Sequence, residues 1–109
     1  MIRLVSKYLL VFVCLFLFLA VFGENNTKID SLKIELNKAQ QDTTKAQVLE
    51  QIGNQNSHNT NYLKAIEAYL QAQKIYIKLG DKANEGEMLN FIGAEYYYLE
   101  NWGKAIEYW

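Results

Sequence analysis

The sequence predicts an all-α protein whose helix-turn-helix units stack as an α-α superhelix, and three observations carry that reading. Sliding the chain against itself by forty residues superposes Leu49, Ile52, Gly53, Asn61, Lys64, Ala65, Ile66 and Glu67 on Leu89, Ile92, Gly93, Asn101, Lys104, Ala105, Ile106 and Glu107. Tyr62 and Tyr69 fall on Trp102 and Trp109. Self-similarity at a period of about 20–50 residues marks stacked supersecondary units, none of which buries its apolar face alone. Second, apolar residues recur at three- and four-residue spacing from Thr27 onward, the period of an amphipathic helix. Third, the chain has no proline, so its helices are broken only by Gly, Asn and Asp.

Residues 1–23 read as a leader. Arg3 and Lys7 precede an unbroken apolar run from Tyr8 to Phe22, and Val21-Phe22-Gly23 offers small residues near a cleavage point. The run is shorter than the roughly 20 residues of a spanning helix, which favours a cleaved signal peptide over a membrane anchor. In either case the positive-inside rule places the rest of the chain outside the cytoplasm, periplasmic, secreted or anchored facing outward. The membrane is a partner only through this leader. Cys14, the single cysteine, lies within it, so the remainder has neither a disulfide nor a thiol nucleophile.

The elements then follow in order. Residues 24–41 hold one short helix, Thr27 to Gln40, with Ile29, Leu32, Leu36 and Ala39 on its apolar side and a capping pair in Thr27 and Asp30. Residues 42–80 form a first repeat. Asp42-Thr43-Thr44 offers an N-cap, a stripe of Ala46, Leu49, Ile52, Gly53 and Asn56 follows, and the polar run Gln55 to Asn61 is expected to be a loop. From Tyr62 to Leu79, one face carries Tyr62, Ala65, Tyr69, Ala72, Tyr76 and Leu79 and another Leu63, Ile66, Leu70 and Ile77, so this helix should be covered on two sides. Gly80-Asp81 supplies a C-cap and the next N-cap.

Residues 81–109 form a second, incomplete repeat. Its first helix carries Ala83, Gly86, Leu89, Ile92, Gly93, Tyr96 and Leu99; Glu100-Asn101 is a turn, and Trp102 opens a helix in which the pattern breaks off. Since about three repeats are needed for independent stability, the stretch is expected to belong to a longer array with further repeats or domains in the same chain. Gly53 and Gly93 stand inside helical stripes, where Gly costs about 1 kcal/mol relative to Ala. Close approach of the paired helix at Ala65 and Ala105 would offset that cost and bury Ile52, Ile92, Tyr69 and Trp109.

Composition narrows the function. Half the residues are hydrophobic, which excludes a wholly disordered chain. Net charge is −1, or −3 once Arg3 and Lys7 leave with the leader, and no basic cluster exists, which argues against nucleic acid as a partner. His58 is the only histidine and sits in the expected polar loop, so no Cys-His pair and no histidine-containing zinc site can form outside the leader. Glu85, Glu87 and Glu95 read as the wet face of one helix and not as paired catalytic carboxylates. No glycine-rich phosphate loop is present. No metal, cofactor or enzymatic activity is therefore expected of this segment. Asn25-Asn26-Thr27 is a glycosylation sequon, meaningful only in a pathway that glycosylates. Tyr96-Tyr97-Tyr98 cannot all be hidden by one helix: at least one faces solvent or a partner, or else neighbouring repeats partly cover the outer two.

The residues assembled here resemble the tetratricopeptide repeat. Leu89, Ile92-Gly93, Tyr96, Ala105 and Trp109 fill its pattern in the second unit, and Leu49, Ile52-Gly53, Asn56, Ala65, Tyr69 and Ala72 in the first. Asn56 stands where the family has Tyr, the terminal Pro is missing, and the period is forty instead of thirty-four. The longer period is similar to a variant whose extended second helix ends in Leu-Gly-Asp, here Leu79-Gly80-Asp81. The resemblance covers residues 42–109 and implies that residues 24–41 act as an N-terminal half-repeat cap. It also implies a protein-interaction scaffold whose first helices line a concave groove for a peptide or partner protein. By matched position, Glu50, Asn54, Glu87, Asn90, Ala94 and Tyr97 would face that groove. Family members that clamp a terminal carboxylate carry Lys where Glu50 stands, so a basic or apolar peptide suits this groove better. The rival implication is the outward-facing sensory segment of a larger signalling protein, a histidine kinase or nucleotide cyclase; a third is an exported repeat protein with a protease-like domain further along.

Overall fold

The computed structural model describes residues 27–109, and all of its regular structure there is helical. The leader, Cys14 and the first two residues of the sequon lie outside the described residues. Helix α1 covers residues 27–38, followed by α2 (Asp42–His58), α3 (Tyr62–Leu79), α4 (Lys82–Tyr98) and α5 (Trp102–Tyr108). Each helix from α2 onward packs on the next. Late residues of α3 meet early residues of α2, as Tyr76 meets Glu50 and Lys78 meets Asp42, so the two are antiparallel. The same holds for α3 and α4 through Tyr62 on Tyr98 and Tyr69 on Phe91, and for α4 and α5 through Tyr97 on Trp102 and Trp109 on Asn90.

The turns explain this alternation. After α3, Gly80 adopts φ 71°, and the amides of Gly80 and Asp81 donate to the carbonyls of Ile77 and Tyr76, a Schellman stop that satisfies two orphan carbonyls. Asp81 then caps α4 by accepting from the Asn84 amide at 3.2 Å. The same pair of bonds closes α2, from Thr60 to Ser57 and Asn61 to Asn56, and α4, from Glu100 to Tyr97 and Asn101 to Tyr96. There the left-handed position is held by Thr60 (φ 63°) and Glu100 (φ 59°), forty residues apart and neither a glycine.

Two expectations about α2 change. The polar run does not interrupt the helix, which continues through Gln55, Asn56 and Ser57 to His58, and Gln55 and Asn56 are buried. Side-chain bonds make this tolerable: Asn56 Nδ2 donates to the Ile52 carbonyl at 3.0 Å, and Gln55 Nε2 to Asn59 Oδ1 at 3.3 Å. The N-cap is Gln41, with no side-chain bond, while Asp42 lies in the first turn and pairs with Lys78. Just before α2, α1 stops at residue 38, two residues short of expectation.

The core follows from small residues on α3. Ala65, Ala68 and Ala72 are buried on one side of that helix and let it approach α2 closely. Around them Ala46, Leu49, Ile66, Tyr69, Tyr76, Met88 and Ile92 form the main cluster. Val48 and Ile52 turn to the other side, where Ala68 and the half-buried Leu32 and Leu36 of α1 close a second cluster. Each large side chain fully buried here contributes about 1.5–3 kcal/mol. The second apolar face of α3 is only half covered, because Ile66 is buried and Leu70 partly so, while Leu63 and Ile77 are exposed.

Of the expected packing positions, Leu49, Ile52, Gly53, Ala65, Tyr69, Ala72, Ile92, Gly93 and Ala105 are buried. Leu89 and Tyr96 are only half-buried, Trp109 is 63% exposed, and Met88 is as fully buried on α4 as Ile92. Leu49 shares its cluster with Ala72 and Tyr76 from the second half of α3. For Leu89, α5 provides counterparts of only the first half. An aromatic ring lies nearest to each of the two helical glycines. A Cβ built on Gly53 would stand 2.6 Å from Tyr69 Cδ1, and one on Gly93 2.6 Å from Trp109 Cδ1.

Candidate functional site

Helices α2 and α4 run side by side in the same direction. Ser57 Oγ donates to Glu95 Oε1 at 2.6 Å, and seven to eight residues earlier Glu50 and Glu87 are close enough to repel one another. These pairs fall two to three residues short of the forty-residue period, so each α2 position lies beside an α4 residue just before its own sequence counterpart. Glu50 and Ala94 are half-exposed on this face, and Asn54, Glu87, Asn90 and Tyr97 are exposed.

Aromatic side chains hold several of these groups from behind. The Tyr69 hydroxyl donates to Asn54 Oδ1 at 2.7 Å, the Tyr76 hydroxyl to Glu50 Oε2 at 3.2 Å, and the Trp109 indole Nε1 to the Asn90 carbonyl at 3.2 Å. Each tether reaches from the second helix of a pair to the first. Fixing a polar side chain before a ligand arrives lowers the ordering entropy that binding would otherwise cost. Tyr69 and Tyr76 therefore do more than pack, and their seven-residue spacing on the α2-facing side of α3 is the sequence signal for the shared tether.

The electrostatics are those of an acidic, partly desolvated surface. Burial pushes the Glu50 carboxyl above the ordinary range, its bond from Tyr76 opposes this, and Glu87 adds to the rise. Burial, with the negative charge of Glu50, pushes the Tyr76 phenol up to about 12. The Tyr69 phenol is held far above its usual value by burial, then by Glu95 and Glu50. Neither tyrosine ionises near neutral pH, so both remain donors.

Glu95 was expected on the wet face and is instead buried, 4% exposed. Its Oε1 accepts from Ser57, while Oε2 is buried without a hydrogen-bond partner. Burial raises its carboxyl above the usual range, and Ser57 only partly counters this. Nothing in the polarity of the sequence signals such a residue. Glu87, by contrast, is exposed, and Glu85 pairs with Lys82 at 3.5 Å. His58 is exposed at the end of α2. No group of three metal-ligating side chains gathers among the described residues.

At the far end of the face Tyr97 meets three rings: Trp102 edge-on at 4.8 Å, Tyr98 edge-on at 6.0 Å and Trp109 tilted at 6.0 Å. The Tyr96-Tyr97-Tyr98 run thus divides its work: Tyr96 is half-buried on Tyr108, Tyr97 faces outward, and Tyr98 stacks on Tyr62 at 5.4 Å. A cavity of ≈ 350 Å³ lined by Gly86, Leu89, Asn90, Tyr108 and Trp109 adjoins this aromatic end. No family model matches the chain, and no curated protein or solved structure matches it either.

Proposed function

We propose that this chain is an exported helical-repeat scaffold of the tetratricopeptide kind, which holds a partner peptide or protein against the face of α2 and α4 and performs no chemistry of its own. Residues 24–41 serve as its cap, 42–80 as one repeat and 81–109 as part of a second, with residues 1–23 directing export. The observation that carries this reading is the side-by-side packing of α2 and α4, which brings Glu50 near Glu87 and leaves Asn54, Glu87 and Asn90 accessible. Repetition supports it, because the Gly53–Tyr69 and Gly93–Trp109 contacts and the left-handed Thr60 and Glu100 recur at the period read from the sequence.

A basic segment suits the face best. Glu50 and Glu87 repel one another across the helix pair, and an ammonium or guanidinium between them would relieve that repulsion while an acidic ligand would add to it. The test is binding of short peptides of equal length that carry Lys and Arg, Asp and Glu, or neither. Basic peptides should bind more tightly than acidic ones, with an affinity that falls as salt rises, and the double variant Glu50→Gln, Glu87→Gln should remove the preference. Equal binding of all three classes would overturn the charge assignment, and no binding by any would overturn the groove. Fractionation of a tagged chain tests export, which fails if the protein stays in the cytoplasm.

A further inference from the structure

We infer that Glu95 is a proton-operated clasp between α2 and α4: its neutral carboxyl holds the ends of the two helices together, and its ionisation lets them part. The clasp joins the first helices of the two units. Its other half is Ser57, whose Oγ donates to Glu95 Oε1 at 2.6 Å.

Burial makes the charge of this group costly. Glu95 is 4% exposed, and its Oε2 is shut off from water with no hydrogen-bond partner. An unpaired buried charge costs far more than a neutral carboxyl in the same place, which forgoes only a hydrogen bond. No cation offsets the charge. From α2 the neighbours are Ser57 and, earlier in the helix, Glu50; from α3 the Tyr69 phenol, which feels the charges of both Glu95 and Glu50; and α4 itself carries Glu87, beside Glu50. Lys104 of α5 lies over the Tyr96 ring, and His58 is exposed at the end of α2. Only Ser57 favours the ionised form, and burial outweighs it, so the carboxyl titrates above its ordinary range.

Geometry places the release at one end of the helix pair. Ser57 is the last residue but one of α2, and Glu95 stands in the last turn of α4. Each helix is packed along α3, and nearer their other ends Glu50 and Glu87 already repel one another. Once ionised, Glu95 reaches water by an outward movement of the two helix ends, which gives up the bond from Ser57 and keeps the packing of each helix on α3. The two helices share the face assigned to a ligand above, so the clasp sets the width of that face. The switch itself does not depend on that assignment.

Pulsed electron paramagnetic resonance between two spin labels measures the gap. In a full chain with Cys14→Ser, the labels sit at His58→Cys and Leu99→Cys, at the C-terminal ends of α2 and α4. The first substitution also removes the only histidine, a residue type that titrates in the same range. Expected is a short distance at pH 4 and a shift to a longer one by pH 8, with a midpoint above the ordinary glutamate value of 4.5. Glu95→Gln should hold the short distance at both pH values. Ser57→Ala should move the midpoint to higher pH, because it removes the bond that favours the charged form, and Glu50→Gln should leave the transition in place. An unchanged distance in the parent chain, a transition that survives Glu95→Gln, a midpoint unmoved by Ser57→Ala, or a transition that vanishes with Glu50→Gln would each overturn the inference. So would a loss of helical circular dichroism at pH 8, which would make the change general unfolding and not the opening of a clasp.

Discussion

Replacing each of three helical glycines by alanine separates packing from helix propensity. At Gly53 the new Cβ would stand 2.6 Å from Tyr69 Cδ1 and 2.9 Å from Cζ, distances that real Cβ atoms do not tolerate. The ring has nowhere to go: it is 2% exposed, backed by Phe91 at 5.3 Å and tethered through its hydroxyl to Asn54. Overpacking of this kind costs about 1–3 kcal/mol, against which the better propensity of alanine returns at most about 1 kcal/mol. A net loss of about 1 kcal/mol lowers Tm by roughly 4–8 °C in a domain of this size. At Gly86, also inside a helix, nothing lies within 4 Å of the added carbon, so only the propensity gain remains and Tm should rise by a few degrees, by about 1 kcal/mol at most. Gly93 should fall between them, since the Trp109 ring on it is exposed on its outer side and can yield. Thermal melts followed by circular dichroism at a single wavelength give the order. A Gly53→Ala chain that melts as high as Gly86→Ala would refute the packing of Tyr69 on α2.

Further outcomes follow from other features. Thr60→Asn should raise the unfolding free energy by about 0.5–1 kcal/mol, read as a higher denaturant midpoint, because a β-branched residue holds a left-handed backbone position that Asn accepts more readily; a lower midpoint would contradict the Schellman turn. Glu95→Gln concerns pH. The folded-state carboxyl titrates above its unfolded value, so its contribution to stability is fully present below about pH 4.5 and is lost as pH rises through the raised value. The glutamine variant should therefore gain Tm over wild type at pH 7–8 and lose that advantage near pH 4, and an advantage unchanged by pH would refute a buried ionising group. Lys78→Met should change stability by less than about 0.5 kcal/mol, since the lysine of that ion pair is 73% exposed; chemical denaturation at low salt checks this.

The sequence made the helices, their period and the Gly80-Asp81 junction legible because each depends on local chemistry: spacing, small residues, and the one residue type that most readily takes φ near +70°. What it hid depends on neighbours. A single-stripe reading of α4 selects Ala83, Gly86, Leu89 and Leu99, yet Ala83, Gly86 and Leu99 are exposed while Met88 and Glu95 go inside. That helix is met by α3 on one side, α5 on another and Ser57 of α2 on a third, so no one stripe describes it. Gln55 and Asn56 resemble loop residues in the sequence for a related reason: their polarity is satisfied by bonds within α2 and to its C-cap, which composition does not display. At the candidate site the forty-residue period equates Glu50 with Asn90, so the proximity of Glu50 to Glu87 was no more legible in it than the tethers from Tyr69, Tyr76 and Trp109.

The Ser57–Glu95 hydrogen bond skips a helix. Most contacts join elements adjacent in sequence, a pattern in which opening can begin at either end and proceed one helix at a time. In such an array amide hydrogens at the ends exchange with solvent soonest, and α3, clasped by α2 and α4, should keep its protons longest. A bond from the first helix of one unit to the first helix of the next makes the release of α4 depend on α2, across 38 residues of chain. Its consequence is cooperativity: with Ser57 in place, the two units should shed their protection together, and with alanine there they should part into two steps of exchange.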